Sequence, residues 1–261
     1  MKKHIFIVFA MFIILAACSS ATTENIGKSD DTTEETRVFE TVNGEIEIPN
    51  KPKRIVTDFY GGELLTVGAN VVGVEPTAFD HPFIQDKLEE TVQLFADLTG
   101  NKEEGKAFLS KFAAKAEEGR EKLKEVINEN DTFGIYELTD KGDIWIFGDN
   151  AGRGGQALYN ALQLEMPHKN ENNDQTLQLS MEVLPEYAAD YMFLTTYDPE
   201  NRGEALEELK ASSIWQGLDA TKNERIFYND FDTFYRYDPI AVYEQIDLFV
   251  EMILESNQVT E

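Results

Sequence analysis

The chain has 261 residues, with 23 Lys and Arg against 49 Asp and Glu, a formal net charge of −26. That balance argues against nucleic acid and other polyanions as partners and against direct attraction to anionic lipid. A hydrophobic share of 42% with 11% aromatic residues can build real cores, and the length suits two small lobes or one medium domain.

The first element is a sorting signal. Met1-Lys2-Lys3 precedes an apolar run from Ile5 to Ala17, which ends in Leu15-Ala16-Ala17-Cys18. This is a positive n-region, an apolar h-region and small residues before a cut. The run is shorter than the about 20 residues a membrane-spanning helix needs. A cysteine at the cut is the lipoprotein form of the signal, so residues 1–18 are expected to be a lipoprotein signal peptide with lipid on the Cys18 thiol. The competing reading is an ordinary secretory signal with an incidental cysteine. Cys18 is the only cysteine, so there is no disulfide framework, and lipidation leaves no thiol for catalysis. Residues 19–36, rich in Ser, Thr, Asp and Glu, read as a flexible tether. The folded part is therefore expected on the extracytoplasmic face of the cell membrane, held there by lipid.

Val38, Val42, Ile46 and Ile48 alternate around Asn43-Gly44, a hairpin signal. Arg54–Thr57 reads as a buried strand, Gly61–Ala69 as a short helix ending near Gly68, and Val71–Val74 as the next strand. That is a β-α-β unit of a parallel sheet. His81-Pro82 sits in a loop, and Thr91–Leu98 forms a short helix stopped by Gly100. Phe108, Phe112, Ala116, Leu123, Val126 and Ile127 then mark one apolar stripe over Asn101–Asn128. A helix of that length spans roughly 40 Å. It either bridges two lobes or is one amphipathic helix of a bundle.

From Asp131 the alternation resumes. Strands are expected at Phe133–Leu138, Ile144–Phe147, Tyr191–Thr196 and Ile226–Tyr228. Helices are expected at Gln156–Leu162, from Ser180 to Tyr187, and at Glu204–Ala211. Glu171–Gln175 reads as a polar loop, and Asp238-Pro239 opens a final helix to Leu254. The pattern places the chain in the α/β class.

Two segments carry candidate chemistry. Gly148-Asp149-Asn150-Ala151-Gly152-Arg153-Gly154-Gly155 follows a strand and opens a helix, where backbone N–H groups can face an anion. Its spacing is neither the dinucleotide fingerprint nor a P-loop. Arg153 is flanked by glycines, which cannot shield it, and it leaves the carboxyl end of a strand, where α/β folds bind ligands. The alternative is a tight turn with a solvated arginine. Phe231, Phe234, Tyr235 and Tyr237 crowd a loop before the last helix, as pocket walls or as packing on the sheet. His4, His81 and His168 show no metal-ligand spacing, and no nucleophile-and-base motif of a secreted hydrolase is visible.

Taken together, these residues resemble the substrate-binding lipoproteins of ABC-type iron–siderophore importers, in particular the ferric-hydroxamate binders. The resemblance rests on the lipobox, Arg54-Ile55-Val56 with Glu63–Gly68, Phe147–Asn150 through Gln156–Tyr159, Met181–Leu184, Trp215–Leu218 and Tyr237-Asp238-Pro239. It implies two α/β lobes joined by a long rigid helix, with the ligand between them. Residues 37–90 would be the N-terminal lobe, 91–128 the bridging helices and 129–261 the C-terminal lobe. It implies a monomer that binds a ferric siderophore, delivers it to membrane permease subunits and catalyses no reaction. No cofactor is implied, since iron enters only within the siderophore. By residue, it implies Arg153 on the hydroxamate oxygens, with Asn150, Phe234, Tyr235 and Tyr237 lining the pocket. Ala151 stands where members often carry an aromatic. Glu182 matches the permease-docking glutamate of the C-terminal lobe. Leu88-Glu89-Glu90 runs straight into Thr91 where the family has several dozen more residues, so the N-terminal lobe is shortened and its own docking glutamate is missing. Glu63 is the best exposed acid left to replace it. Haem or a corrinoid on the same fold, and a degraded paralogue without transport activity, are the rival readings.

Overall fold

Alternating β and α signals lead to three small sheets tied together by helices. The computed structural model describes residues 35–74, 88–170 and 175–258. Cys18 with its signal, the tether before Glu35, and His81-Pro82 lie outside the described residues.

The amino-terminal hairpin pairs β1 (Thr36–Thr41) with β2 (Gly44–Pro49), antiparallel. Its two turn residues are Val42 and Asn43, one position earlier than Asn43-Gly44. The Thr41 hydroxyl fixes this register by accepting from Asn43 N–H and donating to the Gly44 carbonyl. β3 (Ile55–Thr57), α1 (Gly61–Thr66) and β4 (Val71–Val74) form the expected β-α-β unit, with β3 and β4 parallel.

α2 (Leu88–Thr99) and α3 (Lys102–Leu123) follow. The expected 101–128 helix is thus 22 residues, roughly 33 Å. After Leu123 the chain tightens into a turn, with Val126 and Ile127 N–H both donating to the Leu123 carbonyl, and a second turn follows in which the Asp131 carboxylate accepts from Asn128 N–H. Val126 and Ile127 keep their packing against the core outside the helix.

The main sheet has the order β7-β6-β5-β8-β9, built from β5 (Phe133–Thr139), β6 (Ile144–Phe147), β7 (Thr176–Leu179), β8 (Tyr191–Tyr197) and β9 (Ile226–Asn229). β5, β8 and β9 run parallel, and β6 is antiparallel to both β5 and β7. β7 follows the expected Glu171–Gln175 loop, in a stretch to which the sequence pattern assigned no element. It is a short edge strand, with Gln178 donating to Asp143. Both faces of the sheet are covered, which is why β5 reads as an almost unbroken buried run. One face carries Phe133, Ile135, Phe147, Tyr191 and Phe193 against α3, the π-helical segment Gln156–Ala161 and the final helix. The other carries Tyr136, Leu138, Ile146 and Leu194. It is covered by α4 (Leu184–Tyr187), α5 (Glu204–Ala211), α6 (Ser213–Gly217) and α7 (Asp219–Lys222).

The segment before the last helix is itself helical: α8 (Phe231–Tyr235) lies where a loop was expected, and α9 (Pro239–Gln258) closes the fold. Asp230 starts α8 by accepting from the N–H and hydroxyl of Thr233. α9 packs along α3, where the Gly119 backbone approaches Leu162, Val250 and Ile246. Lys115 of α3 is held at α9 by the Tyr243 carbonyl, Asp247 and Glu244. Leu64, Val67, Val92 and Phe95 belong to the same core as Phe133 and Phe249, so from Glu35 onward the chain is one compact unit.

Candidate functional site

The Gly148–Gly155 loop leaves β6 and is pinned at its base. Gly148 N–H donates to the Gln175 carbonyl at 2.7 Å and Asn150 N–H to Gln175 Oε1 at 2.8 Å. Gly152, Arg153 and Gly154 then take three successive left-handed conformations, with φ of 81°, 57° and 95°. Only glycine does this freely, and for Arg153 the conformation costs about 1 kcal/mol. Gly154 is also required by space, because a Cβ there would lie 2.5 Å from the Phe249 ring.

This coil aims Arg153 back over the sheet. Its Nε donates to Glu137 Oε2. Its guanidinium lies 4.5 Å from the Tyr235 ring centroid, 5.1 Å from Phe147 and 5.3 Å from Phe231. Arg153 and Glu137 side chains are 13% and 11% exposed. The glycines indeed cannot shield Arg153, yet it is not unshielded: rings from β6 and α8 close around it. Such cation–aromatic contacts are worth about 0.5–2 kcal/mol each.

Glu137 follows Phe133 and Ile135 on the same face of β5. Its neighbours in register are Trp145 on β6 and Thr195 on β8, and Thr195 in turn neighbours Asn229 on β9. A polar row therefore crosses the carboxyl ends of the parallel strands directly above the apolar core. Thr195 is fully buried, and its hydroxyl and the Asn229 side-chain amide have no hydrogen-bond partner among the described residues.

Of the residues expected at the pocket, Asn150 is half-buried and accepts from Asn160 Nδ2 at 3.3 Å. Tyr235 stacks on Phe231 with centroids 4.9 Å apart, and Tyr237 lies against Gly152. Phe234 departs from expectation. It is 2% exposed and packs into the core on Phe249, because the helical turn of α8 places it to the side of the Phe231–Tyr235 pair. Gln245 of α9 holds this platform, donating to the carbonyls of Thr233 at 3.0 Å and Arg236 at 2.8 Å. Phe231 belongs to the aromatic cluster singled out in the sequence, whereas Glu137 and Phe147 were not singled out there as contacts of Arg153. The available signal was a lone acid at an inward position of an apolar strand.

Glu182 is exposed in the turn before α4, where its own N–H and the Ser180 hydroxyl hold its carboxyl below the usual carboxylate range. Glu63 corrects the expectation of an exposed acid. It is 4% exposed, because α1 packs between α2 and the start of α9. Burial, together with the nearby Asp238 carboxylate, raises its pKa to about 7. A cleft of about 410 Å³ opens beside α2 and α3, between Leu88, Phe112, Gln156 and Asn160. An apolar groove of similar size lies along β3, lined by Ile48, Val56, Tyr60 and Phe95. Arg153 lines neither.

A covered mixed sheet, a smaller β-α-β unit and a caged cation on a glycine loop at the sheet's carboxyl edge describe a ligand-binding protein of the α/β class. Residues 53–233 match the periplasmic binding protein family, and the chain belongs to it. It is 41% identical to the iron(3+)-hydroxamate-binding protein YxeB of Bacillus subtilis, over 98% of each chain. That alignment runs over 315 positions against 261 residues here, so at least 54 positions of the relative have no counterpart in this chain. The iron(3+)-hydroxamate-binding protein FhuD of the same organism is 28% identical over 94% of this chain and 96% of its own. Among solved structures, a B. subtilis FhuD-fold component of a ferrichrome ABC transporter superposes with a TM-score of 0.72 at 25% identity, covering 82% of this chain and 99% of its own. The family and these likenesses bear out the α/β periplasmic-binding-protein fold. Among the described residues, no helix is long and apolar enough to cross a membrane.

Proposed function

We propose that this chain is the substrate-binding component of an ABC importer, taking a ferric hydroxamate siderophore and handing it to a membrane permease. The observation that carries this is the Arg153 cage: a fixed cation among aromatic faces, beside buried polar groups that lack partners among the described residues. Hydroxamate oxygens around iron carry partial negative charge, and a planar guanidinium suits them. The iron is cargo within the ligand, the protein acts as a monomer, and no reaction is catalysed. Asn150, Tyr235 and Tyr237 complete the contact surface.

Around this site we place a lipid anchor at Cys18 on the extracytoplasmic face and a docking contact at Glu182. Glu182 is exposed, and its own N–H and the Ser180 hydroxyl favour its charged form, as a contact with a basic permease surface needs. The positions absent relative to YxeB, together with the open face of β3 and β4, support a shortened N-terminal lobe. They also favour a second reading: a paralogue that retains the site but has lost transport.

The test is fluorescence titration with ferric hydroxamates. Arg153→Ala strands the Glu137 carboxylate, so the cleaner variant combines Arg153→Met with Glu137→Gln and removes both charges. Affinity is expected to fall by about 2–4 kcal/mol with the fold intact. Unchanged affinity removes Arg153 from the site. Binding without uptake in cells selects the second reading.

A further inference from the structure

We propose that Glu137 sets the charge of the accepted ligand: it neutralises Arg153 inside the cage, so the site takes ferric complexes of zero or positive charge and rejects anionic ones. This rests on the siderophore reading above.

Glu137 is built into the site and is not a surface partner of convenience. It stands on the central strand β5, flanked in register by Trp145 and Thr195, and is at least as buried as the arginine side chain it meets. It has little room to swing away when a ligand arrives. With the pair in place the buried site has no net charge, and the three rings that face the guanidinium add none. The same row offers the Thr195 hydroxyl and the Asn229 amide, buried and without a hydrogen-bond partner among the described residues. Such groups receive a ligand through hydrogen bonds to neutral polar atoms and supply no charge. The chain's charge of −26 adds a background that also repels anions.

The coordination chemistry separates the candidates. Iron(III) held by three singly charged hydroxamates is neutral, and a free ammonium on the ligand makes it positive. Iron(III) held by three doubly charged catecholates is triply negative. At about 6 Å and an effective dielectric of about 20, one unit of charge in the site changes affinity about a hundredfold per unit of ligand charge. Screening leaves an expected effect of at least about tenfold.

The experiment titrates the full chain with three probes: an uncharged ferric tris-hydroxamate, one bearing an ammonium, and a ferric tris-catecholate. Wild type is expected to bind the first two and to discriminate against the third. Glu137→Gln should narrow that gap by at least about tenfold, and Glu137→Asp should keep it. An unchanged gap in Glu137→Gln overturns the proposal, as does wild type binding the catecholate complex as tightly as the hydroxamates. Wild type binding none of the three overturns the siderophore reading first, and this proposal with it. Should Glu137→Gln fail to fold, the wild-type salt response decides. Catecholate binding that stays level or strengthens with salt fits a neutral site in an acidic protein. Binding that weakens with salt means a net positive site and sinks the idea.

Discussion

Parallel strands lie side by side in two regions of this molecule, β3–β4 and β5–β8–β9, and their surroundings differ. The large sheet is covered on both faces, and Tyr136, Met192 and Phe193 are fully buried. On the small pair Val56 is 77% exposed, Val72 and Val74 are also exposed, and a groove runs along β3. Both pairs have the sequence of buried strands, so strand-like apolarity alone does not say whether a cover exists. The difference also divides the labour. Each of Glu137, Phe147, Arg153, Phe231 and Tyr235 comes from the covered region, where packing can hold a cage in shape.

Hydrogen exchange is the strongest challenge to that contrast. Amides of Met192–Thr195 are expected to exchange about a thousandfold more slowly than those of Ile55–Val74, because the small unit opens without the whole fold. Equal protection would mean that the small sheet is as closed as the large one. Phe249→Ala comes next. Its ring meets Phe193, Phe234 and the Gly154 backbone, so its removal should cost about 3–5 kcal/mol in urea unfolding.

Glu63 joins the two regions and gives a pH-dependent test. Its folded pKa of about 7 lies above its ordinary value of 4.5, so folding favours the protonated acid. That contribution is complete below about pH 4.5 and is lost as pH rises through about 7. Glu63→Gln should therefore match wild type in acid and exceed it by up to about 3 kcal/mol near pH 8. A stability difference independent of pH would show that Glu63 is not buried as described. Charge reversal at exposed Glu182 should leave folding and ligand affinity unchanged and lower uptake. The smallest expected effect is Val56→Thr, within about 0.5 kcal/mol, since that side chain already faces water. A larger loss would reveal a cover over β3.

The sequence carried the alternation, the final helix and the Gly-Arg-Gly-Gly loop, because these depend on local chemistry. The partner of Arg153 did not show locally: Glu137 lies sixteen residues away, on another strand, and only register brings it beneath the cage. Glu63 likewise looked exposed on a short helix until α9, distant in sequence, packed Asp238 beside it. The aromatic cluster was legible as composition. Which rings turn inward depended on α8 being a helical turn, and the five residues Phe231–Tyr235 carry too little periodicity to announce that.

The two carbonyl bonds from Gln245 to α8 bear on the thermodynamics of capture. Gln245 is buried on a long helix that spans the core, so Phe231 and Tyr235 stand on a platform fixed during folding. A ligand entering the cage does not have to freeze these walls, which spares about 0.5–1.5 kcal/mol for each ring that would otherwise be ordered on binding. Conformational entropy is thus lost once, when the chain folds, and not again at each encounter. Cutting the tether with Gln245→Ala should make binding more enthalpic and less favourable in entropy, which calorimetry reads directly.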